Sequence, residues 1–352
     1  MNKLKEVMFQ KNISCGYLYG YVHLITEIVC FYYLSKITNS NFVWLIPFIY
    51  DGLAFVPQAL IGYISDKNSK INFGIYGMLM LFIGLFLYIL NINTYISLII
   101  LCLGNACIHI GGAENTLRVS NGNLSHSAIF VAGGSFGVII GKLLASINIS
   151  PWIIIILLLT IFPFILLAEE YKNNKDCNCS GFNYVRTDIS PYLIVLLSIF
   201  VVIVRGYMGY GIPTSWNKSV LQTVLLYVTM GLGKALGGIL SDIYGVRKVA
   251  LISTIFSIPF LCFGDNQMLI SLIGVMLFSM TMSITLGILV SVLKDTPGLA
   301  FGLTTIGLFL GTAPIFFIKI TNKLFNIFLI IILSILCYII LNRILYIGEK
   351  ND

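Results

Sequence analysis

Charged residues are scarce in this chain of 352 residues: Asp, Glu, Lys and Arg together make up 10%, and hydrophobic residues 58%. A soluble domain carries about 25% charged residues. A chain with so little charge cannot cover a water-facing surface, so most of it must be solvated by lipid. The composition therefore excludes a soluble protein, and the net charge of +7 is not taken as a sign of a nucleic-acid partner.

Three further absences narrow the possibilities. The sequence has no G-x-x-x-x-G-K-[ST] motif, which would hold nucleotide phosphates. Its eight cysteines contain one close pair, Cys177 and Cys179, without the second pair that completes a zinc spacing, so we expect reduced thiols, no metal site and no cofactor. No short apolar stretch with a small-residue cleavage site follows the basic N-terminus, so we expect no cleaved signal peptide.

Long apolar segments fill most of the chain. A helix that crosses a bilayer needs about 20 apolar residues, and twelve segments are close to that length. We therefore predict an all-α transmembrane protein of twelve helices with short loops, whose main partner is the lipid bilayer. The predicted spans are 14–35, 42–64, 73–90, 95–117, 125–147, 152–168, 192–210, 219–240, 249–264, 268–293, 298–319 and 324–346.

One short pattern, A-L-x-G-x-[IL]-S-D, occurs twice, at positions 59–66 and 235–242. The copies lie 176 residues apart, half of 352, which indicates a duplicated unit. Arg118 and Lys294 have the same separation, and each closes the fourth span of its half. Six spans per unit keep the two copies in the same orientation. We therefore predict two six-helix bundles related by a pseudo-two-fold axis along the membrane normal, 1–168 and 191–352, joined by a linker at 169–190.

The repeated pattern resembles the loop signature of the major facilitator superfamily of secondary transporters, G-x-x-x-D followed by basic residues, between the second and third spans. In that family the aspartate binds the N-terminus of a helix from the other half and holds the cytoplasmic side closed. The resemblance implies that Asp66 faces the start of the eleventh span and Asp242 the start of the fifth. We also expect Glu114 to pair with Arg118 in this gate. The predicted gate residues are Gly62, Asp66, Lys67, Glu114, Arg118, Gly238, Asp242, Gly245 and Arg247.

The distribution of Lys and Arg predicts the orientation, because cytoplasmic loops carry an excess of them. With the N-terminus in the cytoplasm, fourteen of the 21 basic residues lie in cytoplasmic segments, four in outer segments and three within spans. We therefore expect a multi-pass protein of the cytoplasmic membrane with both termini and the linker in the cytoplasm.

Ionisable side chains within spans are functional candidates, because a charge at the bilayer centre costs a few kcal/mol or more. His23 and Glu27 are four residues apart and share a face of the first span. In the superfamily the first and fourth helices of each half line the cavity, so the resemblance places both residues near His109. Each candidate has a structural alternative, which is to pair with a neighbour or to extend to the membrane surface.

Matched positions in the two halves differ in charge. Asp51 corresponds to Tyr227, and Gln58 to Lys234, at a separation of 176 residues. Such differences suit an asymmetric binding cavity, although neutral drift would also produce them. The predicted substrate or proton site comprises His23, Glu27, Asp51, Gln58, His109, Lys142, Arg205 and Lys234.

These observations predict a monomeric secondary transporter that moves a small solute by alternating access and is driven by protons. Arg205 favours an organic anion or zwitterion, because a guanidinium does not lose its proton. An efflux antiporter for lipophilic cations that uses Glu27 and Asp51 is the alternative within transport. A transporter-like membrane sensor is the alternative from another class. A membrane enzyme is disfavoured, because the sequence shows no nucleophile elbow or paired-histidine motif.

Overall fold

Fifteen α-helices and one 3-10 helix form the part of the chain that the computed structural model describes, which is residues 15–38, 44–68, 70–173, 179–318, 320 and 322–346. The helices are α1 Cys15–Ile37, α2 Leu45–Phe55, α3 Gln58–Lys67, α4 Phe73–Ile89, α5 Thr94–Val119, α6 Leu124–Ser146, α7 Pro151–Leu159, α8 Ile161–Asn173, α9 Pro191–Gly211, α10 Val220–Tyr244, α11 Val246–Phe263, α12 Met268–Ser279, α13 Thr281–Val292, α14 Pro297–Thr312 and α15 Lys323–Ile344, with the 3-10 helix Ala313–Phe316 after α14.

Three predicted spans are divided by breaks into two helices each, α2 with α3, α7 with α8, and α12 with α13. Pro57 accounts for the first break, because proline lacks the N–H that a continuous helix requires. Pro163 accounts for the second, since its ring conflicts with the carbonyl of Leu159, where α7 ends. At the third break, the carbonyl of Met280 packs against Gly237 of α10. A Cβ at position 237 would lie 2.1 Å from that carbonyl oxygen, so glycine leaves the room that the break requires.

Ten helical units in the described residues are long and apolar enough to cross a membrane. Among them, each broken pair counts as one unit. Of the remaining helices, α4 has only 17 residues. α1 is less apolar than the ten units because it carries several tyrosines, His23 and Glu27. By length and composition, the structure is that of a multi-pass membrane protein.

Helix pairs related by the repeat pack in the same way. α1 packs on α6, and the corresponding helices α9 and α14 pack on each other. A Cβ at Gly137 would lie 2.3 Å from the carbonyl oxygen of Leu24, and one at Gly311 would lie 2.1 Å from that of Ile203. Glycine is therefore required for this close approach, as is usual where helices associate in lipid.

The halves meet through the helices that carry the repeated pattern. α3 of the first half packs on α14 of the second, and α10 of the second half packs on α6 of the first. These contacts place the two copies of the pattern at equivalent interfaces. Three of these helices, α6, α10 and α14, also line the cavity described below.

The predicted linker begins later than expected, because α8 continues to Asn173 rather than ending at 168. Positions 174–178 of the predicted linker lie outside the described residues, as do the predicted domain limits 1 and 352. Phe182 is fully buried, and the Tyr184 hydroxyl donates to the carbonyl of Gly122 in the loop between α5 and α6. The Tyr184 N–H donates to Ser291 of α13 at 3.2 Å. Residues 179–190 are thus packed against both halves.

The same segment also contacts the end of the last helix. The N–H of Tyr346 donates to the Tyr184 carbonyl at 2.8 Å, and the N–H of Arg186 donates to the Ile344 carbonyl at 3.0 Å. An isolated antiparallel bridge joins Val185 to Leu345. The polar composition of the linker gave no indication of these contacts, which form through the backbone.

Candidate binding cavity

A cavity is lined by helices from both halves, α1, α2, α5 and α6 from the first and α9, α10, α12, α13 and α14 from the second. The volume of the cavity is about 170 Å³. Six of the eight predicted site residues line it, namely His23, Glu27, Asp51, His109, Arg205 and Lys234.

Two histidines and a glutamate converge on one side of this cavity. Oε1 of Glu27 lies 3.8 Å from Nε2 of His23 and 3.5 Å from Nε2 of His109. The imidazole rings of the histidines are 4.3 Å apart between centroids and meet edge to face at 76°. Each of the three residues is only 6% exposed. We call His23, Glu27 and His109 the histidine–glutamate cluster.

Backbone carbonyls orient both imidazole rings. Nδ1 of His23 lies 2.8 Å from the carbonyl oxygen of Phe130, and Nδ1 of His109 lies 2.9 Å from that of Asn105. A carbonyl oxygen can only accept, so each Nδ1 carries the proton of the bond. In a neutral ring, Nε2 then keeps its lone pair, and that lone pair faces Glu27.

Asn105 fixes the carboxylate of the cluster. Its Nδ2 donates to Oε1 of Glu27 at 2.8 Å and to the hydroxyl of Tyr50 at 3.1 Å. The sequence predicts neither contact: Asn105 is visible only as the residue one turn before His109, and Tyr50 comes from α2. Their participation depends on how α1, α2 and α5 pack together.

The second half contributes two cations to the cavity. Arg205 of α9 is 7% exposed, and its guanidinium donates to the hydroxyl of Thr285 at 2.9 Å. Nζ of Lys234 in α10 donates to the hydroxyl of Ser135 in α6 at 2.7 Å. Among the described residues, neither cation lies within ion-pair distance of a carboxylate. Both are therefore available to a negatively charged solute.

Two predicted site residues lie outside the cavity lining. Gln58 is fully buried, and its Nε2 donates back to the Ala54 carbonyl at 2.8 Å. The break at Pro57 lies between it and Asp51, within the span predicted as continuous over 42–64. Lys142 is partly exposed and donates to the hydroxyl of Tyr227 at 3.0 Å. That hydrogen bond joins α6 to α10.

Each repeated aspartate binds the N-terminus of a helix from the other half. The carboxylate of Asp66 accepts from the N–H groups of Gly298 at 3.0 Å and Leu299 at 2.8 Å, at the start of α14. Asp242 accepts from Leu124 and Ser125, both at 2.8 Å, at the start of α6. Free N–H groups and the helix dipole favour a carboxylate at such a position. Both contacts are those that the resemblance implied.

Close packing accompanies these hydrogen bonds. A Cβ at Gly62 would lie 2.3 Å from the carbonyl oxygen of Gly298, and one at Gly238 would lie 2.3 Å from Cβ of Ala128. Glu114 accepts from Nε of Arg118 at 2.8 Å. Arg118 also contacts Asp66 at 3.3 Å, and Ser65 donates to Glu114. We call the end of the molecule that contains Asp66, Arg118 and Asp242 with these contacts the motif end.

The remaining predicted gate residues have local contacts. Nζ of Lys67 lies 5.8 Å from the ring centre of Tyr63 on its own helix. Gly245 has a φ of +92°, which suits glycine and separates α10 from α11. Arg247 donates to Asn342 of α15, within the same half. These residues shape the loop rather than join the halves.

Aromatic side chains join the start of α2 to the end of α14 and the residues just after it. The Phe48 ring centre lies 5.7 Å from that of Phe309 and 5.1 Å from that of Phe317. The Trp44 and Phe317 rings are 5.2 Å apart. Contact between the halves is therefore mainly apolar here, whereas at the motif end it includes charged hydrogen bonds.

The cysteines form no cluster in the described residues. Seven of them are buried and take part in no disulfide bond among the described residues, while Cys177 lies outside the described residues. Burial raises the pKa of the Cys179 thiol to about 12, so this thiol is neutral. Cysteine spacing does not indicate the histidine–glutamate cluster as a metal site, because His23 and Glu27 of α1 meet His109 of α5 only through the packing of these two helices.

No protein-family profile and no curated protein sequence matches this chain. Solved structures do match it. The human organic anion transporter MFSD10 (TETRAN) has a TM-score of 0.66 at 11% identity, over 93% of this chain and 99% of that one. The Escherichia coli fucose:proton symporter FucP has a TM-score of 0.63 at 11% identity, over 93% and 96% of the two chains. A FucP structure in the outward conformation has a TM-score of 0.56 at 12% identity, over 92% and 98%.

The chain has the major facilitator superfamily fold. This confirms, for the fold, the resemblance that the repeated pattern carried. Within the major facilitator fold, the cavity between the halves is lined by the histidine–glutamate cluster and by Arg205 and Lys234.

Proposed function

We propose that the protein is a proton-coupled secondary transporter that carries a small organic anion or zwitterion by alternating access. The observation that carries this proposal is the pair of cations, Arg205 and Lys234, which line the cavity without a carboxylate partner among the described residues. A buried charge without a counter-ion is costly, so such groups usually mark a ligand or ion pathway. The two solved neighbours, a transporter of organic anions and a symporter of fucose and protons, support a transport role.

The proposed architecture is twelve transmembrane helices in two bundles, residues 1–168 and 191–352, that act as a monomer in the cytoplasmic membrane. The equivalent contacts of α3 with α14 and of α10 with α6 support a two-fold relation between the bundles. The motif end faces the cytoplasm in this proposal. The solute is released on that side when the aspartate contacts break and on the other side when the aromatic contacts break.

The orientation is tested by labelling in intact cells. Epitope tags at residue 1 and residue 352, and one inserted at the 169–190 linker, should all stay inaccessible to antibody until the membrane is permeabilised. The reason is the excess of Lys and Arg at the motif end. Labelling of the linker tag in intact cells would contradict the proposed orientation.

Glu27 is the proposed proton carrier. It is buried, and its carboxylate contacts His23 on the same helix and His109 on α5. The carboxylate also accepts a hydrogen bond from Asn105 of α5, which in turn donates to Tyr50 of α2. Asp51 and Lys234 are the other charged residues that line this part of the cavity and act on Glu27 electrostatically. Loss or gain of a proton at Glu27 changes the charge of the cavity by one unit, which couples the proton to an ionic solute.

Transport is tested in proteoliposomes that contain a luminal pH indicator. The purified protein should change the luminal pH when lactate or glutamate is added in metal-free buffer, because each is an anion or zwitterion that Arg205 and Lys234 can bind. Protein-free liposomes are the control. A response to tetraphenylphosphonium alone would support the efflux alternative. Binding of a solute without any flux would support the sensor alternative.

A further inference from the structure

We propose that the histidine–glutamate cluster binds a divalent transition-metal ion, whose charge is balanced by a dicarboxylate held at Arg205 and Lys234. Only the passage of this complex across the membrane rests on the proposed transport function. The binding of the ion follows from the cluster itself.

The spacing of the three ligand atoms suits a metal ion. Nε2 of His109 and Nε2 of His23 are 3.5 and 3.8 Å from Oε1 of Glu27, and all three atoms lie within 4.8 Å of one another. In a tetrahedral zinc site with bonds of 2.0–2.1 Å, ligand atoms are about 3.3 Å apart. The ligand atoms therefore need to move by about an ångström or less to close around an ion placed between them.

The hydrogen bonds behind the cluster have the arrangement found at metal sites. A histidine that binds a metal usually donates its other ring N–H to a carbonyl or carboxylate, which fixes the ring. Here His23 and His109 each direct Nδ1 at a backbone carbonyl, at 2.8 and 2.9 Å. Two Nε2 lone pairs and a carboxylate thus face one point, and they repel one another unless a proton or a metal ion lies between them.

The type of ligand indicates the class of metal. Two imidazoles and one carboxylate suit zinc and neighbouring transition metals, whereas magnesium and calcium prefer oxygen ligands alone. Three protein ligands also leave a coordination position for an exogenous group, as in catalytic zinc sites. Protons compete with the metal for the same lone pairs, so metal release and proton uptake are linked.

The charges of the cavity indicate the counter-ion. Its lining contains two acidic residues, Glu27 and Asp51, and two basic ones, Arg205 and Lys234, so with neutral histidines the lining has no net charge. A divalent ion alone would leave two uncompensated positive charges in this buried space. A dicarboxylate cancels them, and guanidinium pairs well with carboxylate.

The test uses the full chain, purified in detergent, with Co²⁺ as a spectroscopic probe and malonate as the dicarboxylate. Wild type should bind one Co²⁺ with ligand-field bands that report nitrogen ligands. His109→Gln and Glu27→Gln should bind at least about a hundredfold more weakly, since even a group behind a metal ligand contributes 10–100-fold. His126→Gln is the matched control, because it removes the third histidine of the chain, which is outside the cavity lining.

Malonate should tighten Co²⁺ binding in wild type but not in Lys234→Met. Thermal unfolding of each variant checks that it is folded. Equal Co²⁺ binding by wild type and both cluster variants would overturn the metal site, and an absence of any malonate effect would overturn the counter-ion. Flux of lactate or glutamate without Co²⁺ binding would overturn this inference alone, whereas Co²⁺ binding without flux of any solute would overturn the transport function alone.

Discussion

Glu27→Gln is expected to abolish accumulation of the transported anion against its gradient, while exchange of anion for anion continues. Glutamine cannot lose a proton, but its side-chain oxygen can still accept the hydrogen bond that Asn105 donates to Glu27 at 2.8 Å. The cavity should therefore keep its shape and its cations. Exchange needs no net proton movement, so it should persist in metal-free buffer.

The effect should be large because the driving force disappears. A gradient of one pH unit is worth about 1.4 kcal/mol for each coupled proton, or about tenfold accumulation of solute. In proteoliposomes with such a gradient, wild type should approach that ratio and Glu27→Gln should remain near one. Asp51→Asn is the matched control, since it also removes a carboxylate from the cavity lining but leaves the cluster intact.

Comparison with Asp51→Asn also identifies the outcomes that would contradict Glu27 as the proton carrier. Accumulation that survives in Glu27→Gln and is lost in Asp51→Asn would move the proton site to α2. Accumulation that survives in both variants would remove carboxylate coupling from the mechanism.

Gly62→Ala is expected to stop transport and to lower the thermal stability of the protein. The new Cβ would lie 2.3 Å from the carbonyl oxygen of Gly298 and 2.4 Å from its carbonyl carbon. Both are backbone atoms at the start of α14, so no side chain can rotate away and the helices must separate. Overpacking of this kind typically costs about 1–3 kcal/mol.

Separation of α3 from α14 would also disturb a neighbouring contact. Asp66 lies one turn beyond Gly62 and accepts two hydrogen bonds from Gly298 and Leu299. Hydrogen bonds to a charged group contribute about 1.5–3 kcal/mol each. The variant should therefore spend little time in the conformation closed at the motif end, and flux should fall accordingly.

Gly52→Ala is the control for this substitution, because a Cβ at Gly52 would lie 3.4 Å from the Phe309 ring, an ordinary van der Waals contact, and Gly52 is outside the cavity lining. It should unfold at the wild-type temperature and keep its flux. If Gly62→Ala behaved in the same way as Gly52→Ala in both assays, close packing at the motif end would not be needed for transport.

Much of the helix layout could be predicted from sequence, because apolar length and basic loops are local properties. The contacts of Asp66 and Asp242 with helix N-termini could be predicted through the repeated pattern. The four-residue spacing of His23 and Glu27 gave two of the three cluster residues, and the resemblance placed His109 beside them. Contacts that depend on the rotation of one helix against another could not be obtained in this way.

Gln58 and Tyr50 illustrate the limit. Gln58 belongs to a span predicted as continuous over 42–64, but the break at Pro57 changes the direction in which the residues after it face. Tyr50 reaches the cluster through Asn105, a contact that joins α2 to α5. Neither the bend nor the crossing of two helices has a periodic signature in the sequence.

The segment 179–190 gives the two halves unequal freedom at their two ends. Tyr184 bonds to Gly122 of the first half and to Ser291 of the second, and the neighbouring backbone pairs with the end of α15. In the proposed alternating-access cycle, opening the motif end would disrupt some of these bonds, whereas separating the aromatic side chains of α2 and α14 would leave them intact. The resting equilibrium of that cycle would then depend partly on residues outside the cavity lining. We therefore expect changes in this segment to alter turnover without altering solute selectivity.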